Sequence, residues 1–134
     1  MHPRIRAFLD ARGLVSVMNR TKWTELAEGL DRIGQNGPLA SVRYLDPDVR
    51  SGKCHIDWPE FIRQGPEWYE WLDVHAIEEI HRGRLVPPAL IDHEKAIEAC
   101  LQAVGVPYSR VGQDFRVWGY VDSRQPPVYV SRSK

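Results

Sequence analysis

The sequence predicts an α+β fold, a small antiparallel sheet of about four to five strands covered by two or three helices. Three observations carry that prediction. Apolar residues recur with the 3.6-residue period of a helix around Trp23 to Ile33 and around Ala96 to Val104. Apolar and polar residues alternate over residues 40–45, 53–58 and 114–120, the period of a half-buried strand. The two kinds of pattern follow one another in the order α, β, β, β, α, β, with the helices segregated rather than regularly alternating with strands.

Taken in order, Ile5, Phe8 and Leu9 share one helical face, and Gly13 can end that helix in the left-handed conformation open to a residue without Cβ. Residues 1–17 are expected to be an optional extension, because Met18-Asn19-Arg20 opens a better helix signal and could itself start the chain. Residues 18–134 are then expected to form a single domain. Asn19 and Thr21 are candidate N-caps for the next helix, whose buried stripe is Trp23, Leu26, Ala27, Leu30 and Ile33. Val42 and Tyr44 mark a first strand, and Cys54, Ile56 and Trp58 a second that pairs antiparallel with it. Residues 67–75 fit either period, and their aromatic content favours a strand. Ile77 and Ile80 suit a short helical turn before the extended Pro87-Pro88 connection. A further helix runs from about His93 to Val104, with Asp92 as N-cap, Ala96, Ile97, Cys100, Leu101 and Val104 inward, and Gly105 and Pro107 at its end. Phe115 and Val117 define the last main strand, and Val128 to Val130 could add an edge.

A chain of 134 residues suits one ordinary core. No apolar run approaches the roughly 20 residues that a membrane helix needs, and Arg4, Arg6, Asp10 and Arg12 interrupt any signal-peptide core. Two widely separated cysteines, Cys54 and Cys100, form no disulfide framework, so a cytoplasmic location is expected. Net charge is zero, yet residues 46–81 hold nine acidic side chains against three basic ones, while both flanking stretches are basic. An acidic segment repels phosphate backbones and attracts basic partners.

Motifs for chemistry are sparse. Metal sites need converging ligands, and the only adjacent pair, Cys54-His55, would point to opposite faces of a strand, so no metal is expected. No glycine-rich phosphate loop, nucleophile elbow or cysteine-nucleophile signature occurs, and no cofactor or catalytic residue is implied. Paired carboxylates such as Glu78-Glu79 read as a solvated turn. A small enzyme with dispersed acid and base groups remains one alternative. Nucleic-acid binding through Arg110, Arg116, Trp118, Tyr120 and Arg124 is another, disfavoured by the acidic middle.

The most informative cluster combines Trp58, Trp68, Tyr69 and Trp71 with Asp57, Glu60, Glu67, Glu70 and Asp73. Some of these rings must serve the core. Any left outside would be large anchors ringed by carboxylates, the composition of a hot spot for a basic protein. These nine residues are the candidate partner-binding set.

At Lys22-Trp23, Glu70-Trp71-Leu72-Asp73-Val74, Leu85-Val86-Pro87-Pro88 and Val117-Trp118-Gly119-Tyr120 the chain resembles a family of small uncharacterised bacterial proteins. That family has a Lys-Trp start, a Trp-Leu-acidic strand and an aromatic-Gly-Tyr end, and the resemblance runs from about Met18 to Val121. It implies no activity. In size and general character the chain is also similar to immunity proteins encoded beside bacterial toxins. The expected function is therefore a cytoplasmic binding protein that occludes a basic cognate partner, plausible partners being toxin domains.

Overall fold

A computed structural model describes residues 1–130. Helix α1 (Pro3–Arg12) ends at Gly13, whose φ of 65° places it in the left-handed region, and leads into the short strand β1 (Leu14–Ser16). Helix α2 (Arg20–Asp31) is capped by Asn19, whose side chain accepts the Lys22 N–H at 2.8 Å. Strands β2 (Leu39–Tyr44) and β3 (Cys54–His55) precede helix α3 (Trp58–Gln64), and a 3-10 turn at Pro66–Trp68 opens strand β4 (Tyr69–Val74). A hairpin of β5 (Ile77–Ile80) and β6 (Ala89–Asp92) leads to helix α4 (Glu94–Val104), and β7 (Tyr108–Val111), β8 (Asp114–Trp118) and β9 (Tyr120–Asp122) follow.

The main sheet has the order β3-β2-β4-β8-β7, with every neighbouring pair antiparallel. Two smaller sheets pair β1 with β9 and β5 with β6. The α+β expectation and the five-stranded sheet are both present. Ala40, Val42, Leu72, Val74, Phe115, Val117 and Tyr108 point to one side, where they share a core with Trp23, Leu26 and Leu30 of α2, Phe61 of α3, and Ile97 and Leu101 of α4.

Several local expectations are corrected. Residues 53–58 do not run on as a strand, because Asp57 accepts the Glu60 N–H at 3.2 Å and Pro59 sits in the first turn of α3, two helix-start signals that override the alternation. Ile77 and Ile80 lie in a strand instead of a helical turn, paired with Ala89–Asp92. Helix α4 begins one residue later than expected, with His93 at the cap position and Asp92 accepting the Glu94 N–H. Ala96 is exposed, so the buried stripe of α4 is narrower than its sequence suggests. Residues 128–130 form no strand, although the Val130 N–H donates to the Tyr108 carbonyl.

Residues 1–17, expected as an optional extension, are packed into the fold. Ile5, Leu9 and Leu14 form a second buried cluster with Leu45 and Tyr120. Strand β1 pairs with β9 through Leu14–Asp122, Val15–Val121 and Ser16–Tyr120. Gly119, between β8 and β9, comes so close to β4 that a Cβ there would lie 2.5 Å from the Tyr69 carbonyl oxygen, so only glycine fits this corner.

Candidate functional site

Antiparallel pairing places successive residues on opposite faces, so β2, β4, β8 and β7 present a second set of side chains away from the helices. Adjacent positions across that face are Ser41, Asp73, Arg116 and Ser109 in one row, and Arg43, Trp71 and Trp118 in the next. Ser41, Arg43, Trp71, Asp73, Arg116 and Trp118 all keep part of their surface in solvent, whereas Ser109 is buried, its hydroxyl donating to the Val128 carbonyl. Trp71 is half-buried at the centre: its ring lies 5.4 Å from that of Trp118, the Arg116 guanidinium stands 4.1 Å from its centroid, and that of Arg43 stands 5.6 Å away. Arg116 also clasps Asp73 with two bonds of 2.8 and 3.1 Å. Beside Trp71 the segment after β2 curls back and leaves a hollow of about 490 Å³, lined by Ser41, Arg43, Arg50, Ser51, Trp71 and Asp73 among others. Among the described residues, the side chains of Arg43 and Arg50 have no carboxylate partner.

A polar trio lies on the same face. Asp114 accepts from His75 Nδ1 at 2.9 Å and from the Ala76 N–H at 3.1 Å, and the other ring nitrogen of His75 is 3.3 Å from Ser41 Oγ. A carboxylate only accepts, so Nδ1 carries the proton in the neutral ring and Nε2 is left to accept from the Ser41 hydroxyl. A second His-rich group, His55 and His93 on either side of Glu78, ties β3 and the start of α4 to the β5–β6 hairpin. Among the described residues no group of His, Cys, Asp and Glu has the arrangement of a metal site. None of the helices is long and apolar enough to cross a membrane.

The nine residues singled out in the sequence do not form one surface. Trp58 is 2 % exposed and Tyr69 fully buried, both packed on Phe61 in the core. Burial holds the Tyr69 phenol well above the usual range, and its hydroxyl donates to the Phe61 carbonyl. Trp68 packs against His2 at 5.0 Å, at the N-terminal end of the molecule. Glu70 is 3 % exposed and held by both guanidinium nitrogens of Arg12, at 2.7 and 2.8 Å; that hydrogen bonding raises the Arg12 pKa. Asp57 caps α3, Glu60 pairs with Arg63, and Glu67 lies 3.7 Å from Arg20. Only Trp71 and Asp73 belong to the uncovered face.

The reason is a bulge. Arg43 pairs with Trp71 but Tyr44 pairs with Tyr69, so Glu70 is an extra residue in β4 and the inside-outside alternation is reset there. Tyr69 and Trp71, two apart in sequence, consequently face opposite ways. Part of the acidic middle is engaged within the fold: Asp46, Glu67, Glu70 and Asp73 find their cations in Arg4, Arg20, Arg12 and Arg116, all supplied by the basic flanks, while Asp48, Asp57, Glu67 and Glu79 remain exposed.

A family model matches residues 5–124, taking in most of α1 and the entire main sheet. The chain belongs to the DUF6678 family, a family of unknown function. No curated protein and no solved structure matches it significantly. The DUF6678 match begins well before Met18 and so covers the N-terminal elements that pack on Leu45 and Tyr120. Sequence reasoning missed Ser41, Arg43, His75 and Asp114 as members of the site, and named Arg116 and Trp118 only for the alternative of nucleic-acid binding. The alternation of Ser41 and Arg43 with buried neighbours placed them on the outer face of a strand, but nothing local brings Ser41 to His75, 34 residues on, or His75 to Asp114, 39 residues further.

Proposed function

We propose that this DUF6678 chain is a protein-binding module that contacts its partner through the uncovered sheet face centred on Trp71. A five-stranded sheet with helices on one side leaves the other side free for contact, and here that side carries tryptophan and arginine, the residue types enriched at interface hot spots. The observation that carries the reading is the packing of Arg116 and Arg43 around Trp71 beside a hollow that also holds Arg50. A basic partner was the expectation from charge counting. On this face, however, Asp73 is paired with Arg116, so the guanidinium groups of Arg43 and Arg50, without a carboxylate partner among the described residues, stand two against the Asp114 carboxylate, which is hydrogen-bonded to His75. The complementary occupant is an acidic protein surface. Occlusion of a cognate toxin domain, expected from the sequence for a basic partner, would on this face require an acidic one.

The test starts from a partner captured by crosslinking and purified. Trp71→Ala should weaken binding by about 2 kcal/mol or more, chiefly through faster dissociation. Arg43→Glu with Arg50→Glu should slow association and reduce its dependence on salt. Glu60→Lys on α3 is the control. Binding untouched by the first two changes and abolished by the third would reject this face as the contact surface.

A further inference from the structure

We propose that Ser41, His75 and Asp114 form a nucleophilic site that hydrolyses small esters carrying an anionic group. The three side chains come from β2, from the residue just past β4, and from β8, and stand in the order hydroxyl, imidazole, carboxylate at 3.3 and 2.9 Å. That order is the arrangement by which a serine hydroxyl is activated: the carboxylate fixes the ring and its tautomer, and the free ring nitrogen receives the serine proton. Asp114 is itself fixed, because the Ala76 N–H holds its second oxygen at 3.1 Å. The His75 side chain is largely covered, 16 % exposed, whereas Ser41 borders the hollow that opens to solvent. A substrate lying in that hollow would therefore meet the hydroxyl with the base behind it.

The class of substrate follows from what else lines the hollow. Arg43 and Arg50 bring two guanidinium groups without carboxylate partners among the described residues, suited to a carboxylate or phosphate on the acyl part, and Trp71 supplies an apolar wall. In the first step Ser41 Oγ adds to the ester carbonyl carbon as its proton passes to His75 Nε2, and Asp114 stabilises the imidazolium so formed. The bond to the alcohol oxygen then breaks, and that oxygen takes the proton from Nε2 and departs. Water adds to the acyl-serine, giving its proton to Nε2; expulsion of Ser41 Oγ, which recovers that proton, releases the acid. The Ser41–His75–Asp114 trio goes beyond the protein-binding reading, but its hollow shares Trp71, Arg43 and Arg50 with that reading, so a docked partner would compete with an ester there; labelling of Ser41 in the partner-free chain tests the trio alone.

The experiment treats the full chain with an alkyl fluorophosphonate, which bonds covalently to activated serines, and locates the adduct by intact mass and peptide mapping. A single adduct on Ser41 is expected. Ser41→Ala should abolish it, and His75→Gln and Asp114→Asn should each slow labelling by about 100-fold or more with unchanged circular dichroism. Should His75→Gln fail to fold, Asp114→Asn and Ser41→Ala still decide the matter. Hydrolysis of p-nitrophenyl hemisuccinate should exceed that of p-nitrophenyl butyrate, and Arg43→Ala with Arg50→Ala should lower kcat/KM for the former about 10-fold relative to the latter. No adduct on the folded chain, an adduct elsewhere, or undiminished labelling of folded Asp114→Asn would overturn the nucleophilic site. Equal turnover of the two esters would overturn the anionic substrate class.

Discussion

The two faces of the main sheet are made by the same strands, often by adjacent residues, yet they are held by different forces. On the inner face Leu72, Val74, Phe115 and Val117 are fully buried against α2 and α4, and their contribution is area removed from water. On the outer face Trp71, Asp73, Arg116 and Trp118 are half-covered by one another, and charge and aromatic stacking organise them. An inner residue is constrained by volume on every side, whereas an outer one is constrained only by its neighbours in the plane. Stability should therefore reside in the first set, and freedom to bind in the second.

The largest effect is expected on the inner face. Leu101→Ala empties a fully buried position on α4 and should cost about 2 to 5 kcal/mol, read as a lower midpoint in urea unfolding. A loss under about 1 kcal/mol would break the contrast at its strongest point. Next comes Arg12→Ala, which strands the buried Glu70 carboxylate without its cation. Because the Arg12 side chain is itself 46 % exposed, the expected loss is about 1 to 3 kcal/mol, discounted from that of a fully buried pair. Glu70→Gln in the same background should restore part of it.

Smallest should be Trp71→Ala, which removes a ring bordered by solvent and should change stability by about 1 kcal/mol or less while weakening partner binding. Equal losses at Leu101 and Trp71 would show that the outer face is as much a part of the core as the inner. Alkaline titration sharpens the same comparison. Burial raises the phenol of Tyr69 on the inner face, and likewise those of Tyr44, Tyr108, Tyr120 and Tyr129. A raised folded pKa means that the protonated form is favoured in the native state. Its stabilisation is complete below the unfolded value of about 10 and is lost as pH climbs through the folded values. Ultraviolet absorbance of the phenolates should accordingly rise at higher pH in the native chain than in urea, and stability should fall in that alkaline window.

Sequence periodicity exposed the parts of the fold that repeat long enough to be read. Helices α2 and α4 each carry several turns of buried stripe, and Asn19 and Gly105 punctuate them as expected. Strands β1, β7 and β9 have three or four residues, too few to establish alternation, and Ile77 with Ile80 satisfies helix and strand spacing alike. Trp71 and Asp73 are legible as candidates only as members of the cluster of aromatic and acidic residues between Asp57 and Asp73, which does not say which rings face outward. Trp58 and Tyr69 were misplaced for a reason no composition reveals: Asp57 turned the chain into α3, and the bulge at Glu70 rotated Tyr69 inward. The charge count met the same difficulty, since counting along the chain cannot tell a free carboxylate from one whose arginine arrives from another segment.

The pairing of Leu14–Ser16 with Tyr120–Asp122 also orders events in time. A ribosome delivers β9 roughly 100 residues after β1, so at synthesis rates of about 5 to 20 residues per second β1 waits several seconds or more for that partner. During that interval Ile5, Leu9 and Leu14 lack Tyr120, and the Arg12 guanidinium has only Glu70 to hold it near the nascent sheet. An α1 docked at that stage rests on Leu45 and on the Arg4–Asp46 and Arg12–Glu70 pairs, and the β1–β9 pairing can only close over it afterwards.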